Sequence, residues 1–188
     1  DWSSDVCSSD LVVYGMVGLK THAKLLLVTR RETPRKGTTV LRRYAHLSTG
    51  NYNPRTARLY TDLGCLTADP ELTADVDAVF LKLSSLAPIA GHRRLLTAPT
   101  QLHAHMLELL RKVSDSARRG ESARVVVKVN ALTDPGLTDA LVEAGQAGAQ
   151  VDLVVRGACI LRPGVPGLTD RSEEHTSELQ SRQYLVCR

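Results

Sequence analysis

The most constraining feature of the sequence is a strand–helix–strand pattern between Arg124 and Val155. Residues 124–129 form a nearly continuous β-branched run, 133–147 has the apolar spacing of a helix, and 151–155 is a second apolar run. Thr133 is the predicted cap of that helix, and Pro135 suits its first turn. Because the connections are short, the pattern predicts a right-handed βαβ unit with parallel strands, and therefore an α/β fold.

A parallel unit also predicts where a ligand would bind. Ligands of open parallel sheets bind beyond the carboxyl ends of the strands, where Asn130 and Arg156 follow the two predicted strands. We therefore expect these two polar side chains to converge on one crevice. The alternative is an ordinary turn amide and a surface cation.

Hydrophobic spacing predicts several further elements before this unit. They are strands at 11–15, 21–31 and 40–47 and helices at 69–86 and 100–119. Asp69 and Pro70 suit the start of the first helix, and a hairpin turn over 33–39 would pair the two basic strands. A second section then starts near Leu95.

Both ends of the chain differ from its interior. Residues 1–10 and 171–188 are Ser-rich and show no sustained helix or strand period. They are predicted to be non-native tails, with a native disordered terminus as the alternative. The predicted domains are then residues 11–94 and 95–170.

Charge indicates a polyanionic partner. The two tails hold 3 of the 24 Lys and Arg residues and 6 of the 20 acids, which leaves 21 against 14 in residues 11–170. Ten cations lie between Lys20 and Arg58 against the single acid Glu32. A solvated basic surface is the alternative. The four cysteines have neither a zinc-ligand nor a disulfide-framework spacing, and no apolar run approaches the ~20 residues that cross a bilayer.

A candidate nucleophile lies within the basic segment. His22 and Lys24 are two residues apart in a predicted strand, so both side chains should project from one face, about 7 Å apart along the chain. A neutral imidazole can attack phosphorus while an ammonium neutralises the phosphoryl oxygens. An isolated H-x-K triplet is weak evidence, because it also occurs by chance on exposed strands.

The loop after the next strand strengthens this hypothesis. Ser48–Thr49–Gly50–Asn51 can bring N–H groups, a hydroxyl and an amide to the sheet end near His22. Tyr60 follows and could stack on a base or pack in the core. His46, on the neighbouring strand, is either a partner of the site or an exposed polar residue.

Three long motifs resemble one family. GLKTHAKLLLV at 18–28, LRRYAHLSTGNYNPRTARLYTDLGCLTAD at 41–69 and VDLVVRGACILRPGVPGL at 151–168 resemble the carboxyl-terminal half of bacterial polyphosphate kinase, the histidine-phosphorylating type. The resemblance covers essentially all of residues 11–170. It implies a phospholipase D-like fold, in which two α/β domains each contribute a histidine to a shared site.

The resemblance also implies roles for individual residues. His22 matches the phosphorylated histidine, which takes the γ-phosphoryl group of ATP and passes it to polyphosphate. Lys24 completes that motif, and Asn51 matches the asparagine of the supporting loop. Tyr60 and Arg156 match residues that contact the nucleotide. Residues 128 and 130, a lysine and an asparagine, match a K-x-N stretch expected near phosphates.

Departures from the family pattern limit these expectations. Ser48 occupies a position where the family usually has glycine. The chain is expected to be a fragment without the second domain's histidine and without the upstream arginines associated with Mg²⁺, and so to be a poor enzyme alone. Its parent is expected to bind ATP, ADP and polyphosphate, to form a homo-oligomer, and to be cytoplasmic with peripheral contact with the inner membrane.

Two other classes of function remain as alternatives. A phospholipase D-like phosphodiesterase or nuclease would use H-x-K too, but normally carries an acid soon after the lysine, and residues 25–31 contain none. A basic nucleic-acid-binding module would explain the charge, but seven aromatic residues are few for base stacking.

Overall fold

The computed structural model describes residues 12–33, 37–85 and 93–169, together with two short strands at 172–174 and 185–187. The chain divides into two compact units, Asp1–Leu96 and Thr97–Arg188. Their equivalence to the predicted domains 11–94 and 95–170 stays a prediction. Helices and sheets are both present, which confirms the α/β class.

The first unit contains a three-stranded antiparallel sheet and one helix. The strands are β1 (Lys24–Glu32), β2 (Val40–Ser48) and β3 (Gly64–Thr67), in the order β1-β2-β3. The predicted hairpin is confirmed, with Leu27 opposite Ala45. Residues 12–15 form no strand, contrary to the prediction for 11–15. The sequence did not reveal β3, because four residues are too few to show a period.

Helix α1 (Pro70–Ser85) packs against the sheet of this unit. Asp69 accepts a hydrogen bond from the backbone N–H of Leu72 at 2.8 Å, so the predicted helix start is confirmed. Val76 of α1 and Ala45 of β2 are fully or almost fully buried, and these two elements pack against each other. One face of the hairpin is covered in this way, and the face that carries Leu26 and Val28 is about half exposed.

The second unit contains the predicted βαβ pattern. After helix α2 (Leu102–Arg118) come β4 (Arg124–Val129), α3 (Pro135–Ala147) and β5 (Gln150–Val155), and β4 and β5 are parallel. The predicted cap is wrong by one residue: Asp134, not Thr133, is extended and accepts a hydrogen bond from Leu137 N–H at 2.8 Å. Two short strands, β6 (Ser172–Glu174) and β7 (Leu185–Cys187), also pair with β5.

The core of the second unit lies between β5 and its helices. Val151, Leu153 and Val155 alternate along β5 and are at most 1% exposed, and Leu141 of α3 packs on the same cluster. Strands β6 and β7 lie in the stretch predicted to be a tail without strand period. Three-residue strands are too short for the sequence to show one. The foreign origin of that stretch stays a prediction.

Candidate functional site

The structure brings His22 and Lys24 together, although not in the way the sequence predicted. β1 begins at Lys24, so His22 lies just before the strand, and its predicted place within the strand is wrong. The predicted spacing of about 7 Å along the chain stays a prediction. Pairing ends at this point because Lys24 lies opposite Ser48, the last residue of β2. The Lys24 Nζ atom is 3.2 Å from His22 Nδ1 and 3.1 Å from Nε2.

A neutral imidazole has one in-plane lone pair, on the ring nitrogen that lacks the proton, so the Lys24 ammonium can donate a hydrogen bond to only one of these two nitrogens. The imidazole itself is exposed. A nucleophile with an adjacent fixed cation can attack an anionic phosphorus centre whose charge the cation offsets.

A pocket of about 450 Å³ lies at the ends of β2 and β3. Asn51 and Tyr60 both line it, so the structure brings together two of the predicted site residues. Its remaining lining residues are His46, Ser48, Gly50, Tyr52, Ala57, Thr61 and Asp62. His22 and Lys24 are not among the residues described as lining this pocket. Their link to it is the β-sheet register, in which Lys24 lies opposite Ser48 and Ser48 opposite Gly64.

His46 is a partner within this pocket. Its Nδ1 atom is 2.8 Å from the Tyr52 hydroxyl, and the two rings lie 5.6 Å apart between centroids. Gly64 leaves the space for the ring, because a Cβ at that position would come within 2.7 Å of His46 Nε2. The partner interpretation of His46 is therefore favoured over that of an isolated exposed residue.

Thr49 belongs to the loop predicted to support His22, whereas the sequence predicts no role for Asp62. These two residues join the two sides of the pocket. The Thr49 hydroxyl donates to Asp62 Oδ1 at 3.0 Å and accepts from Leu63 N–H at 3.0 Å. A Cβ built at Gly50 would overlap the Asp62 carboxylate. These residues are 13 apart in the sequence, and no local pattern relates residues at that separation.

The basic segment is partly neutralised by nearby acids. Glu32 forms ion pairs with Arg30 at 3.4 Å and Arg42 at 3.6 Å, and Asp77 pairs with Arg43 at 2.9 Å. The positive character that the sequence predicted is therefore smaller at the far end of the hairpin than the residue count suggests. No pairing of this kind is described for Lys24 with an acid.

In the second unit, Asn130 and Arg156 follow parallel strands whose ends coincide. Val129 lies opposite Val155, the Arg156 N–H donates to Val129 O at 3.2 Å, and the Gly157 N–H donates to Asn130 O at 2.7 Å. The two backbones are therefore side by side at the carboxyl edge, as predicted. Convergence of their side chains on a crevice stays a prediction. Lys128 is exposed on β4, two residues before Asn130.

Within the described residues, no three His, Cys, Asp or Glu side chains come together as a metal site. Nor does any helix in the described part of the chain have the length and apolarity that a bilayer crossing requires.

Two family models match the chain. The model described as "Polyphosphate kinase C-terminal domain 1" matches residues 5–89, and "Polyphosphate kinase C-terminal domain 2" matches residues 95–177. Both matches extend into the stretches predicted to be tails. Together they account for most of the chain.

Individual relatives agree with these matches. Proteins named polyphosphate kinase from Burkholderia multivorans and Xylella fastidiosa are 51% and 52% identical to this chain over 159 residues. This is 85% of the chain and only 23% and 22% of those proteins. The crystal structure of a polyphosphate kinase from Porphyromonas gingivalis superposes with a TM-score of 0.74 at 33% identity, over 89% of this chain and 28% of that one.

Proposed function

Because the chain belongs to the polyphosphate kinase family and spans about a quarter of its relatives' length, we propose that it contributes the phosphorylated histidine of an ATP:polyphosphate phosphotransferase. The observation that carries this proposal is the contact of the Lys24 ammonium with both ring nitrogens of the exposed His22. The neighbouring pocket that contains Asn51 and Tyr60 supports it.

The proposed reaction has two balanced halves. One neutral ring nitrogen of His22 donates its lone pair to the γ-phosphorus of ATP, and the N–P bond forms as the bond to the β,γ-bridging oxygen breaks. ADP leaves with that electron pair. A terminal oxygen of polyphosphate then attacks the same phosphorus, and the N–P bond breaks to return the lone pair to His22. Each half runs in reverse, so the transfer is reversible.

Lys24 supplies the electrostatic part of this step. Its ammonium lies within hydrogen-bond range of the ring, so it offsets negative charge on the phosphoryl oxygens at the position where the new bond forms. Asn51 offers an amide donor, and Tyr60 a ring and a hydroxyl, from one pocket. Arg156, Lys128 and Asn130 are proposed nucleotide or phosphate contacts of the second unit.

The remaining expectations from the family are also proposals. Mg²⁺ would assist the transfer with ligands outside the residues described here, and the complete protein would be a homo-oligomer. The comparisons do not favour a phosphodiesterase or a nucleic-acid-binding module. Both of these would lack a covalent label from ATP, so one experiment separates them from the proposal.

The experiment uses a chimera. The segment of the complete Burkholderia multivorans polyphosphate kinase that aligns with this chain is replaced by the residues of this chain, and the purified protein is incubated with γ-³²P-labelled ATP. We expect an acid-labile, base-stable protein label that disappears in His22→Ala. Lys24→Gln should slow labelling at least about tenfold.

His105→Ala is the matched control, because His105 is a histidine on α2 that pairs only with Glu108 among the contacts described for it. Its label should equal that of the unsubstituted chimera. Label that persists in His22→Ala would move the nucleophile to another residue. A chimera that is folded by circular dichroism but takes no label would refute the proposed function.

A further inference from the structure

We propose that Asp62 is a positioning residue that acts through Thr49 to hold the Asn51 loop against the Tyr60 segment. The inference rests on the proposed function and deepens it by naming the contact that fixes the shape of the phosphate pocket. It assigns Asp62 a hydrogen-bonding role in which its acceptor oxygen matters and its charge does not.

The first support is a pair of hydrogen bonds that share one hydroxyl. Thr49 Oγ1 donates to Asp62 Oδ1 at 3.0 Å and accepts from the Leu63 N–H at 3.0 Å. The Thr49 N–H also donates to Leu63 O at 3.0 Å. The hydroxyl has one proton, so its donation to Asp62 leaves its lone pairs for Leu63 and fixes its direction.

The second support is the close packing of Asp62 on Gly50. Any Cβ at Gly50 would overlap the Asp62 carboxylate, so the acid lies directly against the backbone of the loop. The Gly50 N–H is bonded to the Ser48 hydroxyl at 3.0 Å. The loop is therefore held from one side by its own serine and from the other by Asp62.

Sequence spacing connects this contact to the proposed site. Asn51 is two residues after Thr49, and Tyr60 is two residues before Asp62, and all four line or adjoin the pocket. A change in the Thr49–Asp62 contact would thus move both side chains relative to each other. Misplacement by about 1 Å can cost a reaction ~100-fold even when the moved group is far from the chemistry.

Charge argues against a direct role for the carboxylate. A fixed negative charge in a pocket for phosphates repels its ligand, and like charges within a few ångströms oppose binding. The Asp62 carboxylate therefore needs a favourable contribution that offsets this repulsion. Its hydrogen bond with Thr49 and its packing on Gly50 provide one. Asparagine keeps an acceptor oxygen at the same place, so it should preserve the contact and remove the repulsion.

The test uses the same chimera and the rate of protein labelling at several ATP concentrations. Asp62→Ala and Thr49→Val should each lower the labelling rate divided by the apparent KM for ATP by about tenfold or more, because each removes the hydrogen bond that joins the Asn51 loop to the Tyr60 segment. The double variant should lose no more than either single variant, since both remove the same contact.

Conservative variants separate positioning from direct chemistry. Asp62→Asn and Thr49→Ser keep the acceptor and the hydroxyl, and both should stay within about threefold of the unsubstituted chimera. Thr33→Val is the matched control, because the Thr33 hydroxyl bonds to Thr39 at the opposite end of the hairpin. Thr33→Val should change neither the labelling rate nor the apparent KM for ATP.

A second measurement does not depend on catalysis. In the 188-residue chain, the Leu63 amide should exchange its hydrogen about tenfold faster in Thr49→Val and in Asp62→Ala than in the unsubstituted chain. Thr49→Val removes the hydroxyl that accepts from this N–H, and Asp62→Ala loosens that hydroxyl. Thr33→Val should leave this rate unchanged. Failure of His22→Ala to abolish the label would refute the proposed function and leave this exchange result standing.

Three outcomes would overturn the inference. Asp62→Asn as damaging as Asp62→Ala would show that the charge matters. Multiplying effects in the double variant would show that the two residues act independently. A Leu63 amide whose exchange is unchanged in Asp62→Ala would show that the acid does not fix the Thr49 hydroxyl.

Discussion

Asp75 provides a sharp test of how the first unit is held together. This residue of α1 is 6% exposed, and its Oδ2 atom accepts three backbone hydrogen bonds, from the N–H groups of Arg93, Arg94 and Leu95, at 2.9, 2.7 and 2.9 Å. One carboxylate oxygen therefore holds the segment that follows α1. The substitution Asp75→Ala removes the acceptor and leaves three donors.

The free energy lost in Asp75→Ala depends on whether water can replace the carboxylate as the acceptor of these hydrogen bonds. A hydrogen bond to a charged group contributes about 1.5–3 kcal/mol, but three donors that share one oxygen do not add in full. Arg93 and Arg94 are exposed, so water can reach their N–H groups after the substitution. We therefore expect a local loss of about 2 kcal/mol, which corresponds to about 30-fold faster opening.

Amide hydrogen exchange of the 188-residue chain measures this loss directly. The three amides at positions 93–95 should exchange about 30-fold faster in Asp75→Ala, with a smaller increase in Asp75→Asn, which retains one oxygen. Asp77→Ala is the matched control, because Asp77 lies on the same helix but makes a half-exposed ion pair with Arg43 that contributes about 1 kcal/mol or less. Rates within twofold of the unsubstituted chain in Asp75→Ala would refute the reasoning.

Two further predictions concern the second unit. Leu153→Ala should lower the free energy of unfolding in urea by about 3 kcal/mol, because Leu153 is fully buried. Leu109→Ala, at a half-exposed position, should lower it by about 1 kcal/mol or less. Equal losses in the two variants would contradict the assigned core. The Leu137 N–H, and then His103, lower the pKa of Asp134 below its ordinary 3.8. A lowered pKa means that this carboxylate stabilises the fold above pH ~4 and loses that effect as the pH falls through the folded-state pKa. The acid-induced fall in the urea midpoint should therefore be shallower in Asp134→Asn, and an identical fall would contradict the assignment.

Local patterns predicted much of the fold. The run at Arg124–Val129 became β4 without change, and the strand predicted at 40–47 differs from β2 by one residue. These elements have strong periods or long β-branched runs, which are local properties of the chain. Gly64–Thr67 has neither, so β3 exists only because β2 offers it a partner. Thr133 and Asp134 are adjacent good caps, and only the backbone angles decide between them.

The sequence predicts which residues belong to the candidate site, but it does not predict the contacts between them. His22, Asn51 and Tyr60 belong to motifs that can be recognised in the sequence, and the structure brings the last two into one pocket. The bond between Thr49 and Asp62 is different, because it joins residues 13 positions apart that neither periodicity nor composition relates. Such contacts depend on where two loops leave a sheet, which is a tertiary property.

The register of the sheet explains why these loops leave it together. Lys24, Ser48 and Gly64 form one row across β1, β2 and β3, so all three strands start or end at the same edge. His22 enters the sheet there, the Asn51 loop leaves it there, and the Tyr60 segment returns there. Strand side chains alternate between faces, so a slip of one residue between β1 and β2 would turn Lys24 to the opposite face from the Ser48 side of the pocket. The register of the sheet is therefore as necessary to the proposed phosphoryl transfer as the polar residues that would carry it out.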